Sequence, residues 1–157
     1  MTAEPSVAHR FAAAFHTRDP ARVAEVFTPD ATYHDLFYGV HHGHANIREM
    51  LARMYADGRE HRWDMTTVVS DAWTTIAEWR FAFTVAGTAA RGGGRTLRFD
   101  GVSVFATRDG LCHTYREYFD RGAALLAVGI APAAVARIAL SRPTVAVTAP
   151  GPQDPVP

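Results

Sequence analysis

Two short segments of the chain each set an aromatic hydroxyl close to a carboxylate. Tyr33 precedes Asp35 by two positions, and Tyr115 precedes Glu117 by two positions near the other end of the sequence. If both segments are β-strands, the period of two directs each tyrosine and its carboxylate to the same face of a sheet. Two such pairs facing one cavity would be equipped for general acid–base catalysis, in which positioned side chains give and take a proton.

The surroundings of Asp35 favour a role as the base. Phe37 and Tyr38 follow it closely, and an apolar sheet opposite would remove its hydration. Loss of hydration disfavours the charged carboxylate, so we expect a raised pKa and a better base near neutral pH. The alternative interpretation is structural: Asp35 caps or stabilises the loop before the third helix.

Three further residues are catalytic candidates. His113 has the same parity as the second tyrosine–carboxylate pair, and it either relays protons near neutral pH or hydrogen-bonds within the wall. Tyr33 either orients a carboxylate and donates to a substrate oxygen or belongs to a core wall. Glu117 either faces the cavity or pairs with an arginine such as Arg116 or Arg121 at the rim.

The composition is that of one globular domain. The chain has 157 residues, 48% of them hydrophobic, and its formal net charge is zero. A neutral chain without a basic stripe argues against nucleic acid as a partner. Cys112 is the only cysteine, which excludes an internal disulfide and is typical of a reducing compartment. With no signal-peptide pattern and no long apolar run, we expect a cytoplasmic protein without a membrane partner.

Hydrophobic spacing predicts helices first and strands afterwards. Apolar residues at helical spacing predict a helix around Phe11, a short helix after Pro20 and a third from Ile47 to near Gly58. A short strand, Ala31 to Asp35, and a glycine-rich loop come before the third helix. β-Branched and aromatic residues then predict four antiparallel strands: Met65 to Val69, Trp73 to Val85, Thr96 to Thr107 and Leu111 to Phe119.

The C-terminal region differs from the rest. Ala123 to Leu140 predicts one or two short apolar helices broken around Pro132, whereas 141–157 holds five prolines. We therefore predict a single domain over 1–140 and a flexible proline-rich tail over 141–157. Three helices followed by a strongly curved antiparallel or mixed sheet predict an α+β fold, a cone-shaped barrel that encloses a pocket.

Aromatic residues supply candidate pocket walls, although the same residues would suit an ordinary core. Glu78 and Arg80 alternate with aromatic residues, so they point outward if the aromatic set lines the cavity. Asp100 lies where the apolar parity of its strand changes, which predicts a bulge near Gly101. The candidate substrate-binding residues are Phe37, Trp63, Trp79, Phe81 and Tyr115. A loop with His41, His42 and His44 is interpreted as a solvated entrance loop rather than a metal site, because a rigid element is lacking.

The run from Val26 to Asp35, followed by Gly43 and the helix that begins at Asn46, resembles the nuclear-transport-factor-2-like superfamily, especially its SnoaL-like members. The segment from Tyr115 to Asp120 is similar to the last strand of the same group. This resemblance spans residues 6 to 128 and implies a cone-like α+β fold and a homodimer formed through the backs of the sheets. The scaffold hosts isomerases, dehydratases, cyclases, hydrolases and non-catalytic proteins.

The resemblance also implies roles for single residues. Asp35 stands where ketosteroid isomerases keep their proton-shuttling aspartate, whereas Phe11 stands in place of their oxyanion tyrosine. The residues that hold water in limonene epoxide hydrolases look like Tyr33, Asp35 and Glu117 here, but aromatic residues replace the arginine and second aspartate of that group. SnoaL-like polyketide cyclases need only an acid–base residue in an apolar cavity.

We therefore expect a cofactor-free enzyme that cyclises or isomerises an apolar, oxygenated small molecule such as a polyketide or terpenoid intermediate. No GxGxxG motif or phosphate loop is present, which argues against a nucleotide cofactor, and no metal is expected. The alternatives are an epoxide hydrolase and a ligand-binding dimer without catalysis.

Overall fold

The computed structural model describes residues 4–87 and 93–146. Its first two helices begin at polar caps: the Ser6 hydroxyl caps α1 (Val7–His16), and the Asp19 carboxylate caps α2 (Pro20–Ala24). Each cap accepts a hydrogen bond from an N–H group of the first turn, which has no partner within the helix. Both helices match the prediction from apolar spacing.

The third helix, α3 (Gly43–Asp57), directs its apolar side to the core. Its buried residues recur at the spacing of an amphipathic helix: Ile47, Met50, Leu51, Met54 and Tyr55. Gly58 follows in an extended conformation and begins the next strand. A Cβ at Gly58 would lie 2.5 Å from the Phe83 ring, so the close approach of the two segments requires glycine.

Six strands form one curved, mixed sheet that does not close into a complete barrel. In chain order they are β1 (Phe27–Asp35), β2 (Gly39–His42), β3 (Gly58–Ser70), β4 (Thr74–Val85), β5 (Thr96–Arg108) and β6 (Leu111–Tyr118). The order across the sheet is β2-β1-β6-β5-β4-β3, with β1 parallel to β6 and every other pair antiparallel. The predicted α+β class is confirmed, while β2 lies in the segment predicted as a loop and β3 begins earlier than predicted.

The predicted bulge near Gly101 is wrong. Pairing between β4 and β5 continues without a shift from Thr74 to Thr84, and Trp79 lies opposite Gly101. A Cβ on Gly101 would lie 2.4 Å from the Trp79 ring, so the indole occupies the space of the missing side chain. The parity of β5 is therefore constant, and Asp100 faces outward, where it pairs with Arg80 at 3.0 Å.

Two short helices follow the sheet, α4 (Arg121–Ala127) and α5 (Pro132–Ser141). They confirm the predicted helices and the break before Pro132, because a proline is tolerated in the first turn of a helix but not in its interior. The tail predicted over 141–157 lies mostly outside the described residues, which end at position 146. Among the described helices, none has the length and apolar character needed to cross a lipid bilayer.

Candidate active site

Parallel pairing of β1 with β6 brings the two tyrosine–carboxylate segments together. Tyr33 is paired with Tyr115, so Asp35 and Glu117, two residues further along each strand, lie side by side on the inner face. Both carboxyl groups are buried, with exposures of 6% for Asp35 and 5% for Glu117. A contact between two distant segments thus creates the carboxyl pair.

The two oxygens of Asp35 have different surroundings. Oδ1 accepts hydrogen bonds from the N–H groups of Phe37 at 2.7 Å and Tyr38 at 2.8 Å, which fixes the turn after β1. Oδ2 accepts no hydrogen bond from any residue that the structure describes. One oxygen therefore has the structural role considered for this aspartate, while the other is left to interact with a ligand.

Glu117 ends a directed chain of hydrogen bonds. The Trp79 Nε1–H donates to Ser103 Oγ at 2.7 Å, and the Ser103 hydroxyl donates to Tyr115 Oη at 2.7 Å. The Tyr115 hydroxyl in turn donates to Glu117 Oε2 at 2.9 Å. The direction of the chain follows from the indole, which can only donate. Because the Leu36 N–H donates to Oε1 at 2.9 Å, both oxygens of Glu117 are held in place.

Burial raises the proton affinity of both carboxyl groups. It raises the pKa of Asp35 to about 6, against the opposing effect of the N–H groups of Tyr38 and Phe37. Burial, and next the negative charge of Asp35, raise the pKa of Glu117 well above its ordinary value. Two adjacent buried carboxyl groups resist ionising together, so Asp35 ionises first and Glu117 keeps its proton to higher pH.

The carboxyl pair lies at one end of an apolar cavity, and we call Asp35 and Glu117 the carboxylate wall. The aromatic wall consists of side chains of β3 and β4 that line the same cavity: His61, Trp63, Trp79, Phe81 and Phe83. The remaining lining residues are Phe37, Tyr38, Met54, Phe99 and Phe119. The cavity volume is about 30 Å³, which holds one or two water molecules, so a larger ligand must displace aromatic side chains.

A bulge in β3 brings His61 into the cavity. The pairing of β3 with β4 shifts between Arg59 and Arg62, and Glu60 within the bulge has a φ of 57°. Such an extra residue redirects the side chains that follow it. The His61 ring lies parallel to the Phe83 ring, with an interplanar angle of 4° and centroids 5.4 Å apart.

Arg18 fixes the tautomer of His61. The guanidinium Nη1 lies 3.0 Å from His61 Nδ1. Because a guanidinium can only donate, Nδ1 is the acceptor and Nε2 carries the proton of the neutral ring. Burial, and then the positive charge of Arg18, lower the pKa of His61 to about 4. The cavity is therefore lined by a neutral imidazole, and the Met54 carbonyl oxygen is an acceptor for its N–H.

The predicted pocket residues fall into two groups. Phe37, Trp63, Trp79 and Phe81 line the cavity. Tyr115 is fully buried behind it, and its hydroxyl contacts Glu117. Tyr33 is also fully buried outside the lining, and its hydroxyl has no hydrogen-bond partner among the described residues.

His113 lies outside the cavity, and the parity predicted for it is wrong. β5 pairs with β6 through Ala106 opposite Thr114 and Thr107 opposite Cys112, so His113 is an extra residue without a partner. The resulting bulge breaks the alternation that would have placed it beside the other catalytic candidates. Its Nδ1 lies 3.3 Å from Thr28 Oγ1, and the residue does not line the cavity.

The sequence analysis missed two polar residues of the site, His61 and Ser103. It also did not name five of the lining residues as pocket residues: Tyr38, Met54, Phe83, Phe99 and Phe119. Ser103 shares the parity of Phe99 and Phe105, so a small polar residue between two inward aromatic residues was a usable signal. His61 gave no such signal, because its orientation depends on a bulge without glycine or proline. The predicted entrance loop is wrong, because His41 and His42 lie in β2 and His44 lies in α3. Each of these histidines hydrogen-bonds to a separate residue, and the described residues contain no cluster suited to a metal.

Comparison with solved structures finds the same fold in several bacterial proteins. A hypothetical protein with a ketosteroid isomerase-like fold from Catenulispora acidiphila, in complex with trimethylamine, has a TM-score of 0.72 and 18% identity over 82% of this chain and 96% of its own. A "putative polyketide cyclase" from Xanthomonas campestris has a TM-score of 0.70 and 17% identity over 78% and 94%. A protein of the same description from Pseudomonas putida has a TM-score of 0.64 and 16% identity over 75% and 94%. Identities this low show the fold alone.

A family model agrees with the structural comparison. No curated protein matches the chain. The model described as the SnoaL-like domain matches residues 8–114, which is more than half of the sequence. The chain therefore belongs to the SnoaL-like family, within the nuclear-transport-factor-2-like superfamily.

Proposed function

We propose that this protein is a cofactor-independent acid–base enzyme that cyclises or isomerises an apolar, oxygenated metabolite of polyketide or terpenoid type. The observation that carries the proposal is the buried pair of Asp35 and Glu117 at the end of an aromatic cavity. A carboxylate held in such a place costs stability, and groups with this combination of burial and a charged neighbour concentrate at catalytic sites.

In the proposed reaction Asp35 is the base. Its Oδ2 takes a proton from a carbon beside a carbonyl group, and the electrons of the broken C–H bond move to the carbonyl oxygen. Glu117, protonated at the start, gives its proton to the product. It regains a proton when the two carboxyl groups return to their starting protonation states. The fixed geometry of both groups reduces the reorganisation that proton transfer would otherwise require.

Two features favour this reaction over the opening of an epoxide by water. Tyr33, which the resemblance to epoxide hydrolases would place at the attacking water, does not line the cavity. The resemblance places the arginine and second aspartate of that group near Trp79 and Phe81, and neither aromatic side chain can activate an epoxide oxygen.

We also propose that the protein forms a homodimer in the cytoplasm. Apolar side chains are exposed together on the outer face of the sheet, where Ile76 lies opposite Val69 and Val102 lies opposite Tyr118. Contiguous exposed apolar surface of this kind is typical of an interface between protein chains.

The test uses 1-indanone, a small ketone whose C2 hydrogens are adjacent to the carbonyl, and follows their exchange with deuterium in D2O by NMR. We expect catalysed exchange by the wild-type protein and a fall of about 10²- to 10⁴-fold in Asp35→Asn, because asparagine keeps the size but cannot act as a base. The matched control is Asp30→Asn on the same strand, where the side chain is 61% exposed and exchange should be unchanged. Binding of the ketone without catalysed exchange by the wild-type protein would instead support a ligand-binding module.

A further inference from the structure

Trp63 carries a buried hydrogen-bond donor without an acceptor. The residue is 3% exposed, and its Nε1–H has no hydrogen-bond partner among the residues that the structure describes. Trp79, whose ring centroid lies 5.4 Å away, provides the contrast, because its Nε1–H donates to Ser103 at 2.7 Å. The protein thus supplies a hydrogen-bond acceptor for the Nε1–H of Trp79 but, among the described residues, none for the Nε1–H of Trp63.

An unsatisfied donor in a protein interior has a cost, because the group loses its hydrogen bond to water on folding. Native structures contain few such groups, and each one needs an explanation. A phenylalanine at position 63 would keep an aromatic contact without this cost. Because Trp63 lines the cavity, an acceptor on a bound ligand is the explanation that the site itself offers.

The position of β3 makes such an acceptor compatible with the chemistry of Asp35. In the sheet order β3 is separated from β1 and β6. Trp63 in the aromatic wall and Asp35 in the carboxylate wall therefore lie at different ends of the inner face. Trp63 and Asp35 nevertheless line one cavity. A ligand between them can direct an oxygen to one wall and a C–H bond to the other.

His61 lies beside Trp63 in the same wall, two residues earlier on β3, and lines the same cavity. Its imidazole is neutral, and the Met54 carbonyl oxygen is an acceptor for its N–H. Trp63 therefore supplies the donor of this wall that has no acceptor among the described residues. A neutral donor beside a neutral imidazole suits an uncharged acceptor such as a carbonyl oxygen better than a carboxylate or phosphate.

We propose that Trp63 Nε1–H binds the carbonyl oxygen of the substrate and places the adjacent carbon at Asp35. This inference rests on the proposed function and narrows the substrate to a neutral carbonyl compound with a C–H bond beside the carbonyl. When Asp35 takes the proton, the carbonyl oxygen becomes an enolate oxygen and accepts a stronger hydrogen bond. Trp63 is then a catalytic residue, because its donor stabilises the charge that develops during the reaction.

The experiment compares 1-indanone with indane, a hydrocarbon of the same ring skeleton that lacks the oxygen. Indole ¹H–¹⁵N spectra of the wild-type protein contain one signal for each of the three tryptophans, Trp63, Trp73 and Trp79. We expect 1-indanone, but not indane, to shift the Trp63 Nε1–H signal downfield. We also expect about tenfold tighter binding of 1-indanone, the effect of one net hydrogen bond.

Trp63→Phe removes the donor and keeps an aromatic ring. This variant should bind 1-indanone and indane about equally. Trp73→Phe changes an exposed tryptophan and should keep the preference for 1-indanone. Equal binding of the two probes, no binding of either up to its solubility limit, or an unshifted Trp63 signal would overturn the inference. The spectrum of the wild-type protein gives this answer even if Trp63→Phe fails to fold.

The same probes separate the inference from the proposed function. Asp35→Asn should lose the catalysed exchange of deuterium but keep the preference for 1-indanone and the shift of the Trp63 signal. A shifted signal without exchange in the wild-type protein would contradict the proposed function alone. Exchange with an unshifted signal would contradict the role of Trp63 alone.

Discussion

The two walls of the cavity satisfy their polar groups in different ways. In the carboxylate wall, Asp35 and Glu117 accept hydrogen bonds from the backbone and from Tyr115. In the aromatic wall, Trp79 has a partner in Ser103, but Trp63 has none among the described residues. The fold therefore holds the reactive carboxyl groups firmly, whereas it leaves one donor to be satisfied by a ligand.

This difference separates two tasks that a catalytic site must combine. Proton transfer needs groups at fixed positions with suitable pKa values, and backbone N–H groups provide that rigidity. Recognition needs an unsatisfied group that the right ligand completes, because a ligand without the matching atom leaves the donor unpaired. We expect changes in the carboxylate wall to affect turnover, and changes in the aromatic wall to affect which molecules bind as well as their turnover.

Glu117→Gln is the change in the carboxylate wall with the largest effect beyond Asp35 itself. We expect catalysed exchange of 1-indanone to fall by about 10²-fold, because the proton donor is lost and the amide cannot reproduce both hydrogen bonds. In the wild-type protein the rate should rise as the pH passes about 6, where Asp35 ionises, and fall at higher pH as Glu117 loses its proton. The fall at high pH should be absent in Glu117→Gln.

Glu78→Gln is the control for this pH profile. Glu78 lies on the outer face of β4, where its carboxylate contacts threonine hydroxyls, so the substitution should leave both limbs of the profile unchanged. A fall at high pH that persists in Glu117→Gln would remove Glu117 as the acid and leave Asp35 as the only carboxyl group with a catalytic role.

The sequence predicted the carboxylate wall better than the aromatic wall, and the reason is local geometry. Tyr33 with Asp35 and Tyr115 with Glu117 follow the period of two without interruption, so their shared face could be derived from spacing. The pairing of β1 with β6 had no local signal, because it joins segments about eighty residues apart and runs parallel.

Bulges explain the residues that spacing misplaced. His113 lost its predicted parity to an extra residue in β6, and His61 gained its position from another in β3. A single inserted residue transfers every later side chain to the opposite face, and no glycine or proline lies within either bulge to mark the insertion. The helices were predicted more reliably, since their apolar residues recur over several turns and tolerate an error of one position.

Asp35→Asn should stabilise the protein above pH 6 although it strongly reduces turnover. The folded-state pKa of Asp35 is raised from 3.8 to about 6, so the native state holds a proton that the unfolded chain releases between these values. Wild-type stability therefore falls as the pH rises through this window and stays lower above it, by about 3 kcal/mol. Asparagine cannot ionise and avoids this loss.

Urea unfolding at pH 4 and pH 8 measures the effect. The free energy of unfolding of Asp35→Asn relative to wild type should be larger at pH 8 than at pH 4. Asp30→Asn should show no such gain, because the hydrogen bonds from Thr28 and Arg108 lower the pKa of Asp30. If the free energy of unfolding of Asp35→Asn relative to wild type is the same at the two pH values, then Asp35 ionises as easily in the native state as in the unfolded chain.

The smallest expected effect is a difference in stability between variants of the two tryptophans of the aromatic wall. Trp63→Phe and Trp79→Phe remove the same atoms, but only Trp79→Phe breaks a hydrogen bond, because Trp79 alone donates to Ser103. We expect Trp79→Phe to be more destabilising by about 1 to 2 kcal/mol in urea unfolding. Trp73→Phe is the control, because it removes a fluorescent tryptophan at an exposed position without removing a buried contact. Equal destabilisation would show that the Trp63 donor is satisfied within the protein, and the two walls would then no longer differ in the way that gives each its task.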